Sequence, residues 1–289
     1  MRWPDKVLVR EVGPRDGLQY EKAILATDRK IALINGLIGA GVVAIEATSF
    51  VHPRAVPQLG DAEKLLEGLA EYGSEVVISA LVGNARGMER ALAMTHTQLS
   101  EVVVVVSASE AHNRANLNRS IDESLAELYE ISNMAIGKIN VRGAVATALG
   151  CPYQGNISFH QVNRVIDGML AAGIGEITLA DTAGMGNPRQ VYELVTQLKG
   201  IYPGVTWSLH LHDTCGLGMA NIVMGILAGI SVLESSVGGL GGCPFIPGAA
   251  GNVATGETIK LLRKMGIDTG IDLERINQCT RKLSGWLGR

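Results

Sequence analysis

Apolar and polar positions along this chain follow a repeating order. A short apolar run gives way to a turn, and then to a longer stretch with apolar residues three and four apart. The first run, Val7-Leu8-Val9-Arg10-Glu11-Val12, predicts a strand. From Thr27 to Leu37 the apolar positions Ile31, Ile34 and Leu37 share one helical face, with Thr27 as N-cap. Further strands are predicted over 42–46, 76–81, 101–107, 140–146, 176–181, 206–212 and 231–237. Helices are predicted between them over 61–72, 84–93, 120–136, 158–172, 188–198, 218–228 and 254–265, and a last one over 273–286. Val102 to Val106 are all valine, which marks a buried strand. Ser120 and Glu123 read as a capping box, and Pro188 suits a first helical turn.

Eight strand–helix units with short apolar strands argue a parallel sheet covered by helices. A doubly wound sheet is built from the same units. A closed (β/α)8 TIM barrel is favoured because the unusual polar residues fall at or just beyond strand C-terminal ends, where barrel active sites lie. The 289 residues show no Pro/Ser linker, so one catalytic domain is expected over 1–289. Its barrel runs over about 7–266, with an extra C-terminal helical segment.

Composition narrows the function classes. Glycine is abundant at 36 residues and aromatics are scarce at 4%, as tight strand–helix turns around an aliphatic core require. The net charge of −3 is spread in both signs, and no basic run tracks phosphates, which argues against nucleic acid. Cys151, Cys215, Cys243 and Cys279 are too few and too scattered for a disulfide framework, and none pair as Cys-x-x-Cys. The N-terminus carries no signal-peptide pattern. The longest apolar run, Ile222 to Val232, is broken by Gly225 and Gly229 and is too short for a bilayer. A cytoplasmic protein with free thiols is expected.

Several polar residues do not belong to packing. His210 and His212 stand two apart on a strand, so both project from one face. In a barrel that face is the interior, where two imidazoles at the mouth bind one metal ion. Arg15 and Asp16 leave the first strand on a turn set by Gly13, Pro14 and Gly17. The bland reading of that turn is a solvated ion pair. The last strand runs into Gly238-Gly239-Leu240-Gly241-Gly242-Cys243-Pro244, with Asn252 beyond it. Such a loop is either a flexible cover or a backbone cradle for an anion, and its thiol is placed to act as acid or base. Glu46, Arg142 and Asp181 read as polar residues at strand ends, costly to bury alone. Asp16, His210, His212 and Asn252 assemble into a mixed N/O donor set suited to Mg2+ or Mn2+, with Zn2+ as an alternative.

These residues carry a resemblance. Glu11 to Gln19 (EVGPRDGLQ), Ile45 to Val51 (IEATSFV), Ala148 to Tyr153 (ALGCPY), His210 to Thr214 (HLHDT) and Gly239 to Phe245 (GLGGCPF) resemble the 3-hydroxy-3-methylglutaryl-CoA lyases, in order from about residue 7 to residue 272. The resemblance implies a metal-dependent aldolase-like barrel performing retro-Claisen cleavage of an acyl-CoA to acetyl-CoA and a 3-oxo acid. It repeats the ligand set Asp16, His210, His212 and Asn252. Catalytic roles carry over to Arg15, Cys243, His210, Asp181, Glu46 and Glu11, and substrate contacts to Arg142, Ser49, Lys22 and Gln19. A homo-oligomer, most simply a dimer, is implied as well. Departures from the family pattern fall at Tyr20, Gly238, Gly256-Glu257, the polar segment Ser109 to Arg114, and Cys215. They leave every matched group in place and the exact acyl group open. Claisen-type acyltransferases and pyruvate-releasing aldolases share the Arg-Asp and His-x-His parts. A non-catalytic metal or acyl-CoA binder would need neither Arg15 nor Cys243.

Overall fold

The computed structural model describes residues 3–242 and 251–289. Eight parallel strands close into a barrel in chain order: β1 (Leu8–Glu11), β2 (Ala44–Ser49), β3 (Val77–Leu81), β4 (Leu99–Ser107), β5 (Asn140–Ala146), β6 (Glu176–Asp181), β7 (Thr206–Leu211) and β8 (Val232–Ser235). β8 returns to β1 with Arg10 opposite Glu234, and β7 meets β8 with His210 opposite Glu234. The helices outside the barrel are α1 (Thr27–Gly39), α2 (Ala62–Glu67), α3 (Ala85–Ala93), α4 (Glu110–Leu117), α5 (Ile121–Ala135), α6 (Phe159–Ala171), α7 (Pro188–Ile201), α8 (Gly218–Leu227), α9 (Thr255–Lys264) and α10 (Leu273–Leu287). This is the (β/α)8 barrel with a C-terminal helix. No helix among the described residues is long and apolar enough to cross a membrane.

The apolar core lies between sheet and helices. Ile34 and Leu37 of α1, Leu65 of α2, Val165 and Ile166 of α6 and Leu198 of α7 are fully buried there with Ile45, Ile78, Val102 and Ile177 of the strands. The capping boxes at Ser120–Glu123, Ser158–Gln161 and Asn187–Gln190 start α5, α6 and α7 at the C-terminal side of their strands. The barrel lumen differs from the usual layers of Val, Ile and Leu. Glu46, Arg142, Thr178, Ser208, His210 and Glu234 are all buried, and they are charged or polar.

The structure corrects several expectations. Thr27 is the first helical residue of α1 rather than its cap; its hydroxyl donates to Asp61 Oδ2 at 2.7 Å instead of closing the helix. α2 stops at Glu67, with Gly68 as C-cap, where the predicted helix ran on to residue 72. α4 was not predicted: its sequence EAHNRANL carries no apolar period, and it is fixed by its ends. Ser109 accepts the His112 amide, and Asn118 leaves the helix at φ 53°. Glu46 and Arg142 do not lie at strand ends. Each is the third residue of its strand, so each reaches the middle of the lumen rather than its mouth.

Candidate active site

β1 opens into one turn of π-helix, Gly13–Gly17, in which the Val12 carbonyl accepts from the amides of Arg15, Asp16 and Gly17. Such wide turns push side chains outward and recur at functional sites. Here the turn sends Arg15 and Asp16 into the buried mouth of the barrel. Gly17 permits it: a Cβ there would lie 2.8 Å from Leu240 Cβ and 2.9 Å from Ser236 Oγ.

β7 supplies the imidazoles. His210 is on the strand, and His212 just beyond it forms an isolated bridge with Asn252. The two Nε2 atoms face each other at 3.2 Å. Asp16 Oδ2 lies 3.9 Å from His210 Nε2. One donor atom from each of Asp16, His210 and His212 lies within 4.8 Å of the others. Two ring nitrogens in such contact need a shared proton or a cation between them. A buried set of two imidazoles and a carboxylate fits a divalent metal. Asn252 is drawn in because its segment runs back along the barrel mouth, with the Asp213 amide donating to Gly251 O and the Val253 amide to Leu211 O. Its Nδ2 donates to Asp16 Oδ2 at 2.7 Å and to Leu240 O at 3.0 Å.

The surroundings set the charges. Burial alone would raise Asp16, but Arg15 and the two imidazoles outweigh it and hold the carboxyl below its ordinary value. His212 is pulled down to about 4 by burial and by its neighbour His210. Burial would lower His210 too, yet Glu234 and Asp16 raise it. Arg15 is buried, and Glu46 and Asp16 keep it firmly protonated against that burial. Its Nε donates to Glu46 Oε1 at 2.5 Å and its Nη1 to Asp16 Oδ1 at 2.7 Å.

The remaining expected residues divide. Gln19 donates to Asp16 Oδ1 at 2.8 Å and so joins the cluster. Asp181 ends β6, fully buried; burial pushes its carboxyl up to about 6, opposed by the amides of Gly186 and Met185. Glu11 accepts from the Gly13 and Val237 amides and from Thr255 Oγ1 at 2.7, 2.8 and 2.7 Å, so its oxygens tie the mouth segments together. Arg142 donates to Glu101, Thr178 and Glu234 at 3.0, 2.9 and 2.6 Å, enclosed below the mouth. Ser49 is buried and accepts the Val51 amide; Lys22 is exposed. Cys243 lies outside the described residues. Sequence reasoning missed Glu234, whose Oε2 meets His210 Nδ1 at 3.0 Å. The signal was available: a lone glutamate inside the apolar run of the last strand has no bland reason to be there.

Known proteins resemble this chain over nearly its whole length. The HMGL-like family model matches residues 6–282. Hydroxymethylglutaryl-CoA lyase YngG of Bacillus subtilis is 41% identical over 290 residues, covering 100% of this chain and 96% of that protein. The human mitochondrial hydroxymethylglutaryl-CoA lyase is 42% identical, covering 94% of this chain and 83% of that protein. Among solved structures, a B. subtilis HMG-CoA lyase superposes with a TM-score of 0.96 at 41% identity, covering 100% of this chain and 96% of that one. An Acinetobacter baumannii HMG-CoA lyase in complex with coenzyme A and 3-methylmalate gives 0.93 at 39% identity, with 100% and 93% covered. A carboxyl transferase domain of Rhizobium etli pyruvate carboxylase, at 17% identity and a TM-score of 0.70, shares the fold alone.

Proposed function

This chain belongs to the HMGL-like family, and on that premise we propose that it cleaves 3-hydroxy-3-methylglutaryl-CoA to acetyl-CoA and acetoacetate, using a divalent cation held by Asp16, His210, His212 and Asn252. The observation that carries the reading is the convergence of Asp16, His210 and His212 at the buried barrel mouth, directly beside Arg15. A relative solved with coenzyme A and 3-methylmalate supports an acyl-CoA substrate. The absence of a thiolate from the proposed donor set favours Mg2+ or Mn2+ over Zn2+.

The reaction breaks the bond between C2 and C3 of the acyl chain. The 3-hydroxyl loses its proton and becomes the carbonyl of acetoacetate. The bonding pair moves into a thioester enolate, which takes a proton to become acetyl-CoA. A bound divalent cation supplies Lewis-acid polarisation of the hydroxyl oxygen. Arg15, fixed by Glu46 and Asp16, presents a permanent positive charge to the developing enolate oxygen. Asp181 is the base this reading favours. Burial raises its carboxyl to about 6, which makes it a better proton acceptor than an ordinary carboxylate, and it lies at the end of β6; His210 is the alternative base. Cys243, on the glycine-rich stretch, is assigned delivery of the proton to the acetyl carbon.

Incubating the protein with 3-hydroxy-3-methylglutaryl-CoA and Mg2+, then identifying products by mass spectrometry, tests the proposal. Acetyl-CoA and acetoacetate in equal amounts are expected. Intact substrate, with turnover of a different 3-hydroxyacyl-CoA or of a pyruvate-yielding substrate, would contradict it.

A further inference from the structure

From the mouth downward, six buried groups close into a ring in which acids alternate with bases. Asp16 receives Arg15 Nη1 at 2.7 Å, and Arg15 Nε meets Glu46 Oε1 at 2.5 Å. Glu46 Oε2 faces Arg142 Nη2 at 3.6 Å, and Arg142 Nη1 meets Glu234 Oε1 at 2.6 Å. Glu234 Oε2 meets His210 Nδ1 at 3.0 Å, and His210 Nε2 returns to Asp16 Oδ2 at 3.9 Å. We propose that Glu234 and Arg142 are positioning residues. Glu234 fixes the His210 tautomer that turns a bare Nε2 toward Asp16 and His212, and Arg142 holds Glu234 on one side and Glu46, hence Arg15, on the other. The claim about metal affinity rests on the cation site proposed above; the claim about the tautomer does not.

The chemistry of the acceptors carries the inference. Glu234 Oε1 takes hydrogen bonds from Arg142 Nη1 and, at 3.0 Å, from Thr178 Oγ1. Thr178 in turn contacts Ser208 Oγ at 2.7 Å, so the carboxylate is seated from β5, β6 and β7 at once. Only Oε2 remains for His210, and an ionised carboxylate can only accept. The proton of a neutral His210 therefore sits on Nδ1, and Nε2 is left as a lone-pair donor. Arg142 Nη1 at 2.6 Å pairs with the Glu234 carboxylate, so it stays an acceptor. Partners of this kind orient ligating imidazoles, and their loss typically costs about 10–100-fold in metal affinity.

The arrangement separates two arms that share one cation. The Glu46 arm ends on Arg15, and the Glu234 arm ends on His210. Removing Arg142 would take a cation from three buried carboxylates, Glu46, Glu101 and Glu234, and endanger folding, so the arms are tested instead. Glu234→Gln keeps shape but turns an NH2 either to His210 or to the donors on the other oxygen, Arg142, Thr178 and Arg10. If Arg142 and Thr178 keep the amide oxygen, the NH2 faces His210 Nδ1 and moves the ring proton to Nε2. Glu46→Gln leaves His210 untouched.

Two readouts on the full chain decide. Mn2+ binding, measured by electron paramagnetic resonance, should weaken about 10–100-fold in Glu234→Gln. It should stay within about twofold of wild type in Glu46→Gln, whose turnover nevertheless falls. Ring 15N shifts of His210 in metal-free protein at alkaline pH should show Nδ1 protonated in wild type and Nε2 protonated in Glu234→Gln. Unchanged Mn2+ affinity in Glu234→Gln, or equal loss in both variants, overturns the positioning claim. So does a wild-type His210 protonated on Nε2. Wild-type protein that fails to bind Mn2+, or a His212→Ala variant that binds it equally well, overturns the cation site instead; the nitrogen shifts then judge the tautomer claim by themselves.

Discussion

At the residue scale, the account turns on Arg15, a buried guanidinium held by two carboxylates and aimed at the barrel mouth. Arg15→Gln should lower kcat by about 10²–10³, the usual cost of losing one preorganised transition-state contact. Mn2+ affinity should change little, since Arg15 is not among the donor groups. Steady-state kinetics beside metal titration checks this; a loss below tenfold would assign Arg15 another task. The His-x-His pair was legible because a strand's period of two puts both rings on one face, and the 5.2 Å between ring centroids bears that out. Glu234 was not singled out, although a lone glutamate inside an apolar run was visible; its partner was not, because it lies opposite His210 on the neighbouring strand and register between strands is not written in either one. Arg142 was singled out but misplaced at a strand end, although the predicted strand over 140–146 already put it third of seven.

At the element scale, the predicted bounds of β5 and β6 coincide with those observed, since both runs end at sharp polar or small-residue boundaries. β8 proved shorter than predicted and α4 unforeseen, one overextended by apolar neighbours and the other hidden by polar ones. The π-helical turn after β1 was read only as a tight turn. Gly17 in this turn lies too close to Leu240 and Ser236 to admit a side chain without a shift. Gly17→Ala should therefore destabilise by about 1–3 kcal/mol, as overpacking does, and should weaken Mn2+ binding by moving Asp16. Gly200→Ala in α7 is the contrast: nothing lies within 4 Å of its Cβ, so it should be neutral or stabilising by up to about 1 kcal/mol. Thermal melting of both variants checks the pair. Equal effects at the two sites would show that the turn tolerates a side chain.

At the scale of the whole molecule, barrel closure brings β1, the segment after β8 and the start of α9 onto one carboxyl group, Glu11. The closed architecture was legible from eight repeated units, but this tie between residues far apart in the chain was not. Burial pushes Glu11 from 4.5 up to about 7, opposed by its three donors. The folded chain thus binds that proton more tightly than the unfolded chain does. Stability from this group is full below pH 4.5 and is lost as pH rises to about 7, by up to about 3 kcal/mol. Glu11→Gln keeps acceptors for the Gly13 and Val237 amides, and Thr255 can turn its proton to Ser235 Oγ, 2.9 Å away. Urea unfolding between pH 4.5 and 7 should show the wild type losing stability relative to this variant; parallel curves would place the Glu11 proton in solution-like surroundings. The central claim is that the Asp16–His210–His212 cluster holds a cation on which carbon–carbon cleavage depends. Its most direct test is acetoacetate release from 3-hydroxy-3-methylglutaryl-CoA by protein stripped with a chelator and then titrated with Mn2+. The account predicts no release without metal and recovery that saturates at one Mn2+ per chain, with no recovery in His212→Ala; full release by stripped protein would contradict it.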